Sequence, residues 1–181
     1  STWDVENRLT KVIQGGTTVT ATYDALNRLT SMTDLNGAPI SFAYDSLSRR
    51  TSLSLPNGLT SSSTYDKASH LTSLKTLKGP TTRSSFTYTY NAMGNRTAMT
   101  AAAGTHSYTY DALSQLTQAT VPTTTYAYDP AGNRTTAGGL TYTTNLLDQY
   151  TAVGGTAHSY DQAGNLTSDG TQSYTYDFEN R

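Results

Sequence analysis

The sequence contains no cysteine, which excludes disulfides and thiolate metal sites. Charge is scarce and balanced: 12 Lys and Arg stand against 13 Asp and Glu, a formal net charge of −1. With a pI near 6.2 and no basic stripe, nucleic acid is excluded as a partner. No apolar run approaches the roughly 18 residues that a membrane span needs. Leu, Ile, Val and Phe together supply only 27 of 181 residues, so a conventional aliphatic core is under-supplied. Glu and Lys, which favour helices, number 2 and 4, and helix is excluded as the main element.

Hydroxyl and aromatic side chains take the place of what is missing. There are 36 Thr, 19 Ser, 14 Tyr and 14 Gly. Low aliphatic content by itself reads as disorder, but disorder also calls for high net charge and few aromatics. Thr, Tyr, Ser and Gly are residues of strands and turns.

An aromatic–Asp pair recurs along the whole chain: Trp3-Asp4, Tyr23-Asp24, Tyr44-Asp45, Tyr65-Asp66, Tyr110-Asp111, Tyr128-Asp129, Tyr160-Asp161 and Tyr176-Asp177, with Tyr90-Asn91 and Thr144-Asn145 as degenerate copies. Successive spacings are 20, 21, 21, 25, 20, 18, 16, 16 and 16 residues. Three residues after the Asp stand Asn7, Asn27, Ser48, Ser69, Gly94, Ser114, Gly132, Asp148, Gly164 and Asn180. Gly, Asn and Asp tolerate positive φ best, so this column predicts the left-handed position of a tight turn. The Asp is placed to accept backbone N–H groups across that turn, and Pro130 suits the first central position of a type I turn.

Six residues after the Asp, Thr fills all nine complete copies, from Thr10 to Thr167. Its hydroxyl is expected to pair across strands. On the incoming strand Tyr88/Tyr90, Tyr108/Tyr110, Tyr126/Tyr128 and Tyr174/Tyr176 lie two apart, which puts both rings on one face and the small residue between them on the other. A second turn signal falls between consecutive pairs, as at Gly15-Gly16, Asn36-Gly37, Asn57-Gly58 and Gly138-Gly139. Each repeat therefore reads as two short antiparallel strands. The fold class expected is all-β, an antiparallel β-hairpin repeat array forming a continuous curved or spiralling sheet. Stacked hairpins should set Tyr beside Tyr in an aromatic ladder, and the shorter spacing toward the C-terminus predicts shorter strands there.

The segments 23–30 (Tyr-Asp-Ala-Leu-Asn-Arg-Leu-Thr), 128–135 (Tyr-Asp-Pro-Ala-Gly-Asn-Arg-Thr) and 160–167 (Tyr-Asp-Gln-Ala-Gly-Asn-Leu-Thr) resemble the YD repeats of RHS-repeat proteins. That family includes bacterial polymorphic toxins, the shell-forming components of insecticidal Tc toxins and the animal teneurins. The resemblance covers essentially the whole chain, and the wording of the copies is closer to bacterial members. It implies that residues 1–181 are a single array of about nine to ten hairpin units, incomplete at both ends, from a sheet that spirals into a hollow shell. It also implies a secreted or cell-surface location. The partners implied are further YD repeats of the same or neighbouring chains and an enclosed toxin domain. Nothing in the sequence resembles the family's terminal core segment with its autocleavage aspartates.

No catalytic, cofactor-binding or metal-binding residue is assigned, and no cofactor is expected. Eight of the eleven Asp occupy the pair column and Asp148 the turn column, a structural placement. Arg8, Arg28, Arg49 and Arg181 follow the turn, where Asn95, Asn133 and Asn165 also occur, and the column reads as a polar, solvated edge. His70, His106 and His158 lack ligand spacing, and neither G-x-S-x-G nor a Walker A loop is present. Asn95, Asn133 and Asn165 complete N-glycosylation sequons that the repeat itself generates, and surface glycans are the remaining partner class. The leading expectation is a non-enzymatic wall segment that encloses or presents a toxin-like cargo. The alternative is an extracellular filament or adhesion module built by end-to-end stacking, since Asp177-Phe178-Glu179-Asn180-Arg181 echoes Asp4-Val5-Glu6-Asn7-Arg8.

Overall fold

The computed structural model describes residues 1–181, the side chain of Gln14 excepted. Strands and turns make up the fold, and no helix occurs among the described residues. The chain divides into two compact units, Ser1–Thr105 and His106–Arg181.

The first unit carries β1 (Thr2–Trp3), β2 (Leu9–Gln14), β3 (Thr17–Tyr23), β4 (Leu29–Thr33), β5 (Pro39–Tyr44), β6 (Arg50–Ser54), β7 (Leu59–Tyr65), β8 (Leu71–Lys78), β9 (Thr81–Tyr90) and β10 (Arg96–Ala101). Each pairs antiparallel with the next in sequence. The second carries β11 (Gly104–Tyr110, starting at the unit boundary), β12 (Leu116–Ala119), β13 (Thr124–Tyr128), β14 (Arg134–Ala137), β15 (Leu140–Thr144), β16 (Tyr150–Val153) and β17 (Thr156–Ala157). These form the same meander, and β18 (Ser159–Tyr160) pairs with β19 (Leu166–Ser168). Strand length follows repeat length: β3 and β7 have seven residues, β12, β14 and β16 four.

Register separates the side chains by type. In the first unit Val12 faces Val19, Ala21 faces Met32, Met32 faces Ile40, and Phe42 faces Leu53. On the opposite face Thr22 meets Ser31, Ser31 meets Ser41, and Ser41 meets Ser54. Directly opposed residues share a face, so one side is aliphatic and aromatic and the other is lined with hydroxyls. No second layer closes over either face: no described residue is fully buried. The backbone ladder and the contacts between neighbouring hairpins hold the fold in place of a core.

The edge away from the aromatic–Asp pairs mixes turn types: at Asp34–Gly37 and Leu55–Gly58 it repeats the bonding of the aromatic–Asp turns, and at other joints it uses glycine pairs. There Gly138-Gly139 joins Ala137 to Leu140 with φ of 55° and 85°. Positive φ at both central residues defines a type I′ turn, whose twist matches that of the strands. The other edge carries the aromatic–Asp pairs.

Candidate functional site: the edge of aromatic–Asp turns

All ten aromatic–Asp turns share one geometry. In the Asp24 copy, Asn27 N–H donates to the Asp24 carbonyl at 3.0 Å, and Asp24 N–H donates to the Arg28 carbonyl at 3.0 Å. The carboxylate fills the loop, with Oδ1 accepting the N–H groups of Leu26 at 2.9 Å and Arg28 at 3.0 Å. Asn91 substitutes without loss, since its Oδ1 accepts from Met93 and Asn95 at 3.0 and 2.9 Å. Asn145 does the same for Leu147 and Gln149, so the degenerate copies keep the turn. The column three residues on has positive φ in every copy, from 58° at Asp148 to 91° at Gly132.

The Thr column has a more specific role than opening a strand. Tyr23 pairs with Leu29 but Thr22 pairs with Ser31, which leaves Thr30 as the extra residue of a β-bulge. The same slip isolates Thr10, Thr51, Thr72, Thr97, Thr117, Thr135, Thr151 and Thr167. Freed from the ladder, the hydroxyl bonds across it. Thr30 shares a hydrogen bond with Thr22 at 3.1 Å, Thr72 with Thr64 and Thr97 with Thr89 at 2.9 Å, and Thr151 with Thr143 at 3.0 Å.

The residue after the turn is a clip between consecutive turns and not the solvated edge expected of it. Arg28 Nε donates to Asp24 Oδ2 at 2.7 Å, while its Nη1 reaches the next turn, donating to the Asp45 carbonyl at 2.8 Å and Ser48 Oγ at 3.3 Å. Arg49 repeats this on Asp45, the Asp66 carbonyl and Ser69 Oγ at 2.8, 2.8 and 3.2 Å. Arg8 does so on Asp4, the Asp24 carbonyl and Asn27 Oδ1 at 2.6, 3.3 and 2.6 Å. At two of the positions that lack Arg, an Asn amide serves, whereas Asn95 Nδ2 has no hydrogen-bond partner among the described residues. Asn133 Nδ2 spans Asp129 and Asp148 at 3.2 and 2.7 Å, and Asn165 Nδ2 spans Asp161 and Asn180 at 2.9 Å each. His70 Nδ1 lies 2.9 Å from Asp66 Oδ2.

These contacts hold the Asp24 and Asp45 carboxylates below their ordinary pKa. For Asp24 the Arg28 N–H is the leading cause, with partial burial opposing it and the Arg28 guanidinium adding to it. For Asp45 partial burial is the largest influence and acts upward, but the Arg49 N–H and guanidinium outweigh it.

The aromatic column differs from the ring-on-ring ladder expected. The guanidiniums of Arg8, Arg28 and Arg49 sit over the rings of Tyr23, Tyr44 and Tyr65 at 5.0, 4.9 and 4.8 Å, and His70 stacks on Tyr90 at 4.6 Å. A planar guanidinium over the ring satisfies both the π face and the carboxylate beside it. In several repeats the Tyr hydroxyl also reaches back one repeat: Tyr23 donates to the Leu9 carbonyl at 3.0 Å, Tyr65 to that of Arg50 at 3.0 Å, Tyr90 to that of Leu71 at 2.8 Å and Tyr128 to that of Leu116 at 3.0 Å. Thr144 replaces Tyr in its copy, and there Tyr150 Oη accepts the Arg134 N–H at 3.1 Å.

The sequon amides of Asn133 and Asn165 are engaged in clips, and Asn95 Nδ2 is buried. A glycan on any of them would require that turn to open. Among the described residues no three His, Asp or Glu side chains converge as a metal site. A shallow depression of about 200 Å³ on the apolar face of the first unit is lined by Leu9, Val12, Val19, Tyr23, Leu29 and Met32 among others.

Comparison with known proteins points the same way as the turns. A family model described as RHS Repeat matches residues 3–39 and 23–60, and one described as Teneurin YD-shell matches residues 81–179. No curated protein matches the sequence significantly. Among solved structures, the crystal structure of TcdB2-TccC3 is similar with a TM-score of 0.65 at 17% identity, covering 92% of this chain. The TcdB2-TccC3-Cdc42 structure gives 0.64 at 18% identity and 92% coverage. The Photorhabdus luminescens Tc holotoxin pore gives 0.51 at 17% identity and 83% coverage. The chain spans 12% of the length of each of these.

Proposed function

The chain belongs to the RHS and YD-shell repeat family, and on that premise we propose that it is a length of non-enzymatic β-sheet wall, part of a single repeat array. The observation that carries this reading is the repeated linkage between consecutive turns within a unit. In the first unit the hairpins that follow Arg8, Arg28 and Arg49 are each tied to the preceding one by a backbone ladder, a clip and a Tyr hydroxyl, and no described residue is fully buried. Such a structure grows by adding hairpins and encloses space without needing a core of its own. The chemistry is containment: a continuous hydrogen-bonded sheet separates what lies on its two sides. The cargo we propose is a toxin-like domain, in keeping with the Tc holotoxin likeness, and the setting is secreted or at the cell surface.

Electron microscopy of the native particle, without added ligand, tests this. A closed hollow body with density inside supports a containing wall. An open fibre of stacked repeats rejects it in favour of a filament or adhesin.

A further inference from the structure

The clip and the turn it grips vary together. Eight clips reach a following turn within the same unit. Where the clip is Arg or Asn, the gripped turn carries a side-chain oxygen at its positive-φ position: Arg8 with Asn27, Arg28 with Ser48, Arg49 with Ser69, Asn133 with Asp148, Asn165 with Asn180. Where the clip is His or Gln, that position is Gly: His70 with Gly94, Gln115 with Gly132, Gln149 with Gly164. None of these eight joints mixes the two kinds.

Reach and space account for the split. Arg is long enough to pass its own Asp and still present an N–H to a side-chain oxygen, and the short Asn amide leaves room for an Asp or Asn to come to it. His and Gln bring a side-chain nitrogen close to where the next turn's Cβ would stand, most tightly at His70. A Cβ on Gly94 would lie 2.9 Å from His70 Nε2, and one on Gly132 or Gly164 would lie 3.3 Å from the Nε2 of Gln115 or Gln149. Gln149 Nε2 approaches the Gly164 carbonyl at 3.4 Å, with backbone as its partner in place of a side chain. Positive φ at this position does not by itself demand glycine, since Ser48 and Ser69 hold φ of 62° and 69° there. Gly94, Gly132 and Gly164 sit further out at 83°, 91° and 88°, so backbone and side-chain contact act together.

We infer that this pair of positions is the specificity determinant of hairpin docking: each clip accepts only one class of following turn. A turn bearing an oxygen acceptor fits after Arg or Asn, and a glycine turn fits after His or Gln. The pair thereby sets which hairpin can sit next to which, on this chain or on another copy of it. The rule concerns the joints alone and holds whatever the wall contains.

A double-mutant cycle in the full-length protein tests it, with thermal unfolding as readout. Gly94→Asn should lower the melting temperature, through both the left-handed strain and the His70 contact. His70→Arg should lower it too, because the Gly94 turn offers the guanidinium no side-chain oxygen. In the His70→Arg background, Gly94→Asn should lose much less, because the introduced amide oxygen then meets a guanidinium as Asn27 Oδ1 meets Arg8. The left-handed strain is common to both backgrounds and cancels in the cycle. An equal loss from Gly94→Asn in both backgrounds overturns the proposal. If Gly94→Asn does not fold, the cycle moves to Gly132→Asn with Gln115→Asn in the second unit, read in the same way. Rescue by the matched clip is the outcome that a merely structural glycine does not produce.

Discussion

The hydroxyl of Tyr44 donates to the carbonyl of Leu29 at 2.9 Å, 15 residues earlier in the chain. The backbone pairing of β4 with β5 has ended two residues before, at Ser31 and Ser41. The same offset recurs at Tyr23 with Leu9, Tyr65 with Arg50 and Tyr90 with Leu71, beyond ladders that end at Lys11, Ser52 and Ser73. Where successive hairpins splay toward the turn edge, a side chain takes over the bonding the backbone has given up.

Removing that hydroxyl should therefore loosen one joint without disturbing the hairpins on either side. Tyr44→Phe is expected to cost about 0.5–1.5 kcal/mol, the net value of one hydrogen bond. Urea denaturation measures it. A midpoint equal to wild type would mean that water replaces the hydroxyl at no cost and that the bond is incidental.

Gly132 combines φ of 91° with the Gln115 amide against its missing Cβ. A β-branched residue there must adopt a conformation it rarely visits. Gly132→Val is expected to lose roughly 1–3 kcal/mol. Unchanged thermal unfolding would refute the turn geometry.

Arg28 holds Asp24, the Asp45 carbonyl and the Tyr44 ring at once. An ammonium is a single point and cannot span these partners. Arg28→Lys, which keeps the charge, should still lower the melting temperature by about 2–4 °C. Full retention of stability by Lys would show that charge alone does the clip's work.

Acid should act on the whole edge together. Asp4, Asp24, Asp45, Asp66, Asp129, Asp161 and Asp177 have folded pKa values below the ordinary 3.8. A depressed folded pKa means that the unfolded chain binds more protons as pH falls past the ordinary value. The contribution is thus complete at neutral pH and is lost as pH drops through the folded values. Urea midpoints at neutral pH and at about pH 2.5, below the unfolded carboxylate range, should differ, the acid one being lower. Equal midpoints would mean that the carboxylates contribute nothing to the turns.

Much of this was open to reading in the residues themselves. Alternation around Tyr88 and Tyr90 pointed to the two faces, the Asn27, Ser48 and Gly132 column to the left-handed turn position, and the falling spacing to the shorter strands. The bulge was hidden: Thr30 looks like any strand-opening Thr until Tyr23 and Thr22 are seen to pair with Leu29 and Ser31, on either side of it. The clip was hidden because its partners lie 17 to 20 residues away, on the next hairpin. One signal was nonetheless present. The column after the turn runs Arg8, Arg28, Arg49, His70, Asn95, Gln115, Asn133, Gln149, Asn165, Arg181, every member an N–H donor and none acidic or apolar. A merely solvated edge would have admitted Glu, Ser or Lys.

The lack of any fully buried side chain among the described residues has a calorimetric consequence. Unfolding raises heat capacity mainly by exposing apolar surface to water, by about 12–15 cal/mol/K per residue in ordinary globular proteins. A fold held by hydrogen bonds and half-covered rings has less such surface to expose, so its heat-capacity increment per residue should fall below that range. Its stability then changes little with temperature around its maximum, and cooling weakens it less than it weakens a protein built around an oily centre.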